Sequence, residues 1–364
     1  MNRRNLLITG ASALAAAGAG AFAWSRATGS MAGYEAYAKG LRMPLAAEPD
    51  LRDLVRYATL AASGHNTQPW RFAVAAGAVR LFPDESRRTP VVDPDDHHLF
   101  VSLGCAAENL AVAGRATGRP GEIAILPGDG SALAWSFSEG PAVADPLFDA
   151  IPRRQSTRAD YDGRPIPSED LAALERIAAE PGVGLVLLTD RARISQARDL
   201  VAAGNDAQMA DPAFRTELER WIRFNPRSAM RSGDGLFSAA SGSPSLPDVL
   251  GRSAFSAFVT AGSESPKVAR QLASSAALAV FVGEQADPAH WIRVGRACQR
   301  LMLAATARGL KHAFVNQPVE VAGLRPALAA LIGEPGRRPD IVLRLGYGPT
   351  LPLSPRRPVA AVLV

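Results

Sequence analysis

Three short stretches of this 364-residue chain concentrate side chains that could hold an anionic ligand. Residues 153–171 read RRQSTRADYDGRPIPSEDL, with Arg154, Ser156 and Arg158 at alternate positions; SPRRPV at 354–359 adds Arg356 and Arg357. Guanidinium groups are fixed planar forks that grip a small anion through two bonds at once, and a serine hydroxyl adds a neutral donor. The other stretch, ASGHNTQPWRF at 62–72, sets Ser63, Gly64, His65, Asn66, Thr67 and Gln68 between two apolar runs, then stiffens with Pro69 and anchors with Trp70. A plain turn needs fewer hydrogen-bonding side chains. A ligand-facing loop needs this density.

The rest of the composition narrows the chemistry. The chain is 47% hydrophobic and 21% charged, with ample length for a large core. Its 40 basic and 35 acidic residues are dispersed and leave a formal charge of +5, so nucleic acid is not an expected partner. The five histidines make no metal-ligand spacing, so no metal site is expected. Cys105 and Cys298 both fall in Ala/Leu-rich helical patterns and read as small buried hydrophobes.

The first 27 residues stand apart from the fold. Arg3 and Arg4 precede an apolar Ala/Gly run that continues to Trp24, and Ala21-Phe22-Ala23 has the form of a cleavage site. This is the pattern of a twin-arginine export signal, which makes the twin-arginine translocase an expected partner and the periplasm or another extracytoplasmic space the expected location. Cleavage after Ala23 would leave a mature charge of +3; an uncleaved signal would be just long enough to anchor in a bilayer. The opening LLITG is not a nucleotide-binding turn, because no buried strand and acidic residue follow it.

The elements that must position these residues come in two sets. DLRDLVRYA at 50–58 and DLAALERIA at 170–178 coincide without gaps at an offset of 120. LGCAAENLAVAGRATG at 103–118 matches VGRACQRLMLAATARG at 294–309 at an offset of 191, pairing Gly104 with Gly295 and Leu110 with Leu301. Both pairs have helical periodicity. The chain therefore reads as two copies of one α+β unit, residues 28–150 and 151–364, with about 71 extra residues in the second copy. Strand patterns fall at 71–75, 78–82, 123–126, 133–137, 183–188, 276–283 and 341–347. The extra segment, near 205–262, contains RSGDGLFSAASGSPSLPD at 231–248, a long irregular stretch of the kind that serves as a lid.

The copies have lost complementary parts. At the offset of 120, the arginine stretch 153–171 faces GYEAYA at 33–38, which has no arginine. The polar loop 62–70 faces AEPGVGLV, which has none of its polar groups. Arg154-x-Ser156-x-Arg158 resembles the amino-terminal flavin motif of the nitroreductase family; NTQPWRF is similar to that family's Asn-x-Gln-Pro-Trp loop; LRLGYG at 343–348 followed by SPRRPV resembles its carboxy-terminal strand and phosphate contact. The double length resembles the Acg-like branch.

The resemblance implies a nitroreductase-like fold in which two degenerate repeats form an internal pseudo-dimer, a monomer in solution, and one FMN per chain. It implies that Arg154, Ser156 and Arg356 or Arg357 hold the phosphate and that Arg158 lies near the flavin edge where negative charge collects on reduction. Ser63, Asn66 and Gln68 would form the wall contributed by the other copy. Asn316 and Gln317, in FVNQPVE at 314–320, occupy the place of the loop that approaches flavin N5. No protein residue is then expected to act as a catalyst, because the flavin carries the chemistry. The implied function is reduction of an electron-poor small molecule such as a nitroaromatic or quinone, with NAD(P)H a possible donor. The alternative is a protein that sequesters flavin under a lid without turnover.

Overall fold

The computed structural model describes residues 23–126 and 132–364; the twin arginine and the apolar run to Phe22 lie outside the described residues. No described helix is long and apolar enough to cross a membrane.

The first half runs α1 (Met31–Gly40), α2 (Leu51–Ala58), a β1–β2 hairpin (Trp70–Ala75, Ala78–Pro83), α3 (His97–Ala116), β3 (Gly121–Ile125) and β4 (Leu133–Phe137). Asp50 caps α2 by accepting from Asp53 N at 2.8 Å, and the helix buries Leu54, Val55, Tyr57 and Ala58. The strands form an antiparallel sheet of order β1-β2-β4-β3. Trp70 and Phe72 of β1 are buried with Arg71 exposed between them, while β3 buries none of its residues fully, as expected of a sheet with one face in water.

The second half begins with α4 (Pro146–Ala150), α5 (Ser168–Ile177) and β5 (Val183–Leu188). After β5 come α6 (Arg191–Ala210), α7 (Pro212–Arg220), β6 (Ile222–Arg223), α8 (Pro226–Ser232), β7 (Leu236–Phe237), α9 (Asp248–Phe258) and α10 (Ala261–Ala273). The half closes with β8 (Ala277–Gly283), α11 (Pro288–Ala307), β9 (Lys311–Phe314), α12 (Gln317–Glu320), α13 (Arg325–Ile332) and β10 (Ile341–Gly346). Its sheet has the order β5-β8-β10-β9, again antiparallel. Matched in sequence order, the two sheets have the same strand order, with a long helix between the second and third strands of each. The architecture is α+β.

The second sheet is buried on both faces, which explains why β8 is apolar throughout and β10 is apolar but for Arg344, whose buried guanidinium donates to the Gln271, Thr157 and Ala159 carbonyls. Ala279, Phe281 and Leu343 face the main core, while Leu278, Val280 and Val342 face a second core. The segment after β5 supplies part of that second core: α6 and α10 contribute Ile194, Ala197, Val201 and Leu272, beside Val319, Leu328 and Ile332 from α12 and α13. The segment between β5 and β8 is thus mostly helical, and part of it is a structural layer rather than a loose cover.

At the centre, α3 crosses α11. A Cβ on Gly104 would lie 2.0 Å from the Ile292 carbonyl oxygen, and one on Gly295 would lie 2.0 Å from that of Val101. Only glycine permits this approach of backbones. Each contact is the image of the other at the offset of 191. Cys105 and Cys298 are free thiols buried at this crossing, and burial pushes Cys105 up to about 12, so neither is poised as a nucleophile.

Candidate functional site

A cavity of about 490 Å³ lies between the 62–65 loop and α3 of the first half and, from the second half, Arg158, the 313–320 segment and α6 to α10. Ser63, Arg158, Asn316 and Gln317 from the expected set line it, together with His65, His98, Gln208 and Glu320. Residues distant in sequence meet here because the central helices bring both halves to one wall.

Beside it sits a second feature. Arg154 and Arg356 are buried, and their Nη2 atoms donate to one oxygen, the Leu60 carbonyl, at 2.9 and 3.1 Å. Arg356 also donates to Ala61 O at 3.1 Å and to Asn66 Oδ1 at 2.9 Å. Arg42, at the end of α1, joins them; it donates to Ala38 O and Ser354 O at 3.0 and 2.8 Å. Among the described residues no carboxylate pairs with any of the three. Burial, then mutual repulsion with Arg154, holds Arg42 down to about 10; burial likewise holds Arg154 down to about 10. Arg356 falls well below its ordinary value through burial and the charges of Arg42 and Arg154. The Nε atoms of Arg154 and Arg356 have no partner. Buried like charges held only by carbonyls are complementary to an anion.

The other expected contacts are distributed differently. Asn66 and Gln68 do not line the cavity. Asn66 donates to the Gly235 and Pro355 carbonyls at 3.0 and 3.2 Å, and its own carbonyl accepts from Gly235 N at 3.1 Å. Gln68 donates to Gly233 O at 2.9 Å and accepts from Arg357 N at 2.9 Å. In this structure their amides bond to the protein and fasten the 233–235 loop and the carboxy-terminal strap. Arg357 pairs with Asp84 at 3.2 Å and donates to Gln68 O at 3.1 Å. Ser156 is partly exposed and bridges to His312 on β9, so it stands near Arg154 in the chain but is not in the cavity wall. Asn316 lines the cavity while its Oδ1 accepts from Val342 N at 2.9 Å. Gln317, and Ser238 in the segment after β5, also line it, and Gln317 Oε1 and Ser238 Oγ are buried without a partner.

The loop is strained to do this. His65, Asn66 and Gln68 have φ of 45°, 54° and 55°, the left-handed region that costs a non-glycine residue on the order of 1 kcal/mol or more. The bonds to 233–235 and 355–357 hold it there. Gly235 answers with φ of 75°, and a Cβ on it would lie 2.4 Å from Trp221 O. Trp70 is fully buried core.

The polar wall contains an ion pair that the sequence did not reveal. His98 Nε2 lies 3.5 Å from Glu320 Oε1, and Gln208 donates to Glu320 Oε2 at 2.6 Å. Burial pushes His98 down, but the Glu320 hydrogen bond and the charges of Asp93 and Glu320 outweigh it and leave His98 raised. Burial pushes Glu320 up, and His98 outweighs it, leaving Glu320 lowered. His65 is held down to about 4, mainly by burial, and is therefore neutral at pH 7. Arg158 is lowered by burial and keeps its charge. Arg42, His98, Gln208 and Glu320 were missed because each sits in an ordinary helix or helix end, with nothing unusual in its neighbours.

No known family profile matches the chain. It is similar over 86% of its length to the Mycobacterium tuberculosis protein named "Putative NAD(P)H nitroreductase Rv3131", at 29% identity, covering 90% of that protein. A second M. tuberculosis protein, "Putative NAD(P)H nitroreductase acg", is 26% identical over 86% of this chain and 94% of its own length. Among solved structures, an FMN-bound nitroreductase from Desulfitobacterium hafniense aligns with 59% of this chain and 94% of its own, at 16% identity and a TM-score of 0.36. An iodotyrosine deiodinase bound to FMN and 3-iodo-L-tyrosine aligns with 58% of this chain and 95% of its own, at 16% identity and a TM-score of 0.38.

Proposed function

We propose that this chain is a flavin oxidoreductase of nitroreductase type, holding one FMN at a site shared by its two halves and passing electrons to an electron-poor small molecule such as a nitroaromatic or quinone. The observation that carries this is the acid-free cluster of Arg42, Arg154 and Arg356 beside a cavity walled by both halves. The curated relatives called NAD(P)H nitroreductases support the same class.

The residues fit an FMN. Arg42, Arg154 and Arg356 would hold its phosphate, whose charge would relieve the repulsion among them. Gln317 and Ser238 line the cavity, and their Oε1 and Oγ are buried without a hydrogen-bond partner. Arg158 puts a cation in that wall and favours the redox state with more negative charge. When bound, FMN supplies reversible two-electron chemistry. The chain's own part is to bind and orient it, and to keep water from the apolar side of the cavity. The two sheets of equal strand order support the internal pseudo-dimer and a monomeric chain; the twin-arginine pattern supports export, with the electron donor, NAD(P)H or another, supplied outside the cytoplasm.

A second reading, a flavin store without turnover, is favoured by one feature: the 233–235 loop is latched to Asn66, Gln68 and the strap. The test is anaerobic. FMN-loaded protein is reduced with NADH, NADPH or dithionite, then mixed with a naphthoquinone or nitroaromatic. Repeated turnover supports the oxidoreductase. Reduction without reoxidation by any acceptor supports the store, and failure to take up FMN overturns both.

A further inference from the structure

The cavity wall joins two kinds of surface. Where the two halves meet it carries His65, Arg158, Gln317 and Glu320. The segment after β5 adds a large apolar surface of Phe214, Leu218, Phe224, Leu246, Phe255 and Phe258, alongside polar residues that include Glu264, Lys267 and Gln271. Phe214, Phe224 and Phe255 are buried, whereas Phe258 is 74% exposed while still lining the cavity, so the apolar side runs out to the mouth. On α9, Gly251, Ala254, Phe255 and Phe258 all line the cavity, which is one helical face. At Gly251 a Cβ would lie 2.3 Å from the Phe224 ring, so the aromatic side chains are packed to shape rather than loosely gathered.

The hydrocarbon roof formed by these six side chains orients nothing by hydrogen bonding. It offers dispersion contact and exclusion of water, and both increase with the hydrocarbon area of the guest. A small polar acceptor would leave the roof in contact with water. We propose that the acceptor is amphipathic: an electron-poor ring that sits against the polar side, carrying a hydrocarbon tail that lies under the phenylalanine roof and leaves past Phe258. This rests on the reading of the polar side as the flavin site, and names the substrate class of that site.

The test is isothermal titration of FMN-loaded and flavin-free protein with 1,4-naphthoquinones bearing a methyl, hexyl or decyl group. The hexyl compound should bind at least about thirtyfold more tightly than the methyl compound, since each buried methylene contributes severalfold. Between hexyl and decyl the gain per carbon should fall as the tail passes Phe258 into water. Phe255→Ser should cut the thirtyfold gain to threefold or less while leaving the methyl compound's Kd little changed. If circular dichroism shows that variant misfolded, Leu218→Ser, at a half-buried position, serves instead. Equal affinity along the series, or a gain that persists in the roof variant, would overturn the proposal. A gain in flavin-free protein that takes up no FMN would leave the compartment standing and remove the flavin reading. FMN uptake with no dependence on the tail would do the reverse.

Discussion

Arg154 and Arg356 share one acceptor: both guanidiniums donate to the Leu60 carbonyl, although 202 positions separate them in the chain. Leu60 belongs to the first half, Arg154 opens the second, and Arg356 lies in the final strap. This single oxygen ties three remote segments into one cationic pocket. Arg154→Ala should therefore weaken FMN binding at least tenfold, since losing one partner of a buried charge-assisted pair costs on the order of 2–5 kcal/mol. Arg357→Ala should cost stability through its bond to Asp84 and leave FMN affinity within about threefold, the loss of one partly exposed pair being worth about 1 kcal/mol. Fluorescence titration of FMN against both variants checks this.

The same pocket should respond to a simple anion. Inorganic phosphate that binds only the folded chain must raise its melting temperature. The rise should disappear in Arg154→Ala and in Arg42→Met. Scans at constant ionic strength with phosphate replaced by chloride separate binding from screening.

Gln68 should act as a latch. Gln68→Ala removes the bond to Gly233 O and the acceptor for Arg357 N. About 1–3 kcal/mol of stability should be lost, and amide exchange should rise first in residues 231–248. The Gly233–Gly235 loop is held a second way, by Asp234 to Arg87 and, at 2.6 Å, to Arg223. Its opening should therefore be local rather than global.

Gly104→Ala and Gly295→Ala should each destabilise the chain by several kcal/mol, because the new methyl meets a helix backbone rather than a movable side chain. Since the two sites belong to one crossing, the double variant should cost clearly less than the sum. Urea unfolding of the three variants measures this.

Stability should depend on pH through His65. Its folded value of about 4 lies below the ordinary 6.5, so between these values the unfolded chain binds the proton and the folded chain does not. The contribution is complete above 6.5 and falls as pH drops towards 4, with a slope of up to about 1.4 kcal/mol per pH unit. His98, raised by Glu320 and Asp93, works the other way: its contribution is complete below 6.5 and is lost as pH rises through its folded value. His65→Asn, which tolerates the left-handed backbone, should flatten the acid side of the stability profile relative to the unaltered chain.

The fold was largely legible because its signals are periodic. The strands at 133–137 and 183–188 lie where the pattern put them, and the Gly104–Gly295 correspondence marks the helix crossing. Strand β9, Lys311–Phe314, was not legible: it has four residues, two of them Lys311 and His312, and it pairs only because β10 lies beside it. The helices α6 to α10 were obscured by the Gly, Ser and Pro of 231–248, which drew attention to the irregular part of a segment that also covers the second sheet. At the site, residue type was a better guide than role. Asn66 and Gln68 are as exceptional as their sequence suggests, but their amides brace the loop and strap. Arg42 carried no local signal, since its importance comes from where α1 ends.

The central claim is one anion-anchored flavin site made by both halves. The most direct measurement is the FMN-to-protein ratio after reconstitution and gel filtration, read from flavin and protein absorbance. About one FMN per chain in a monomer is expected, and clearly less than one in Arg154→Ala. Two FMN per chain, or a colourless unaltered protein, would contradict it.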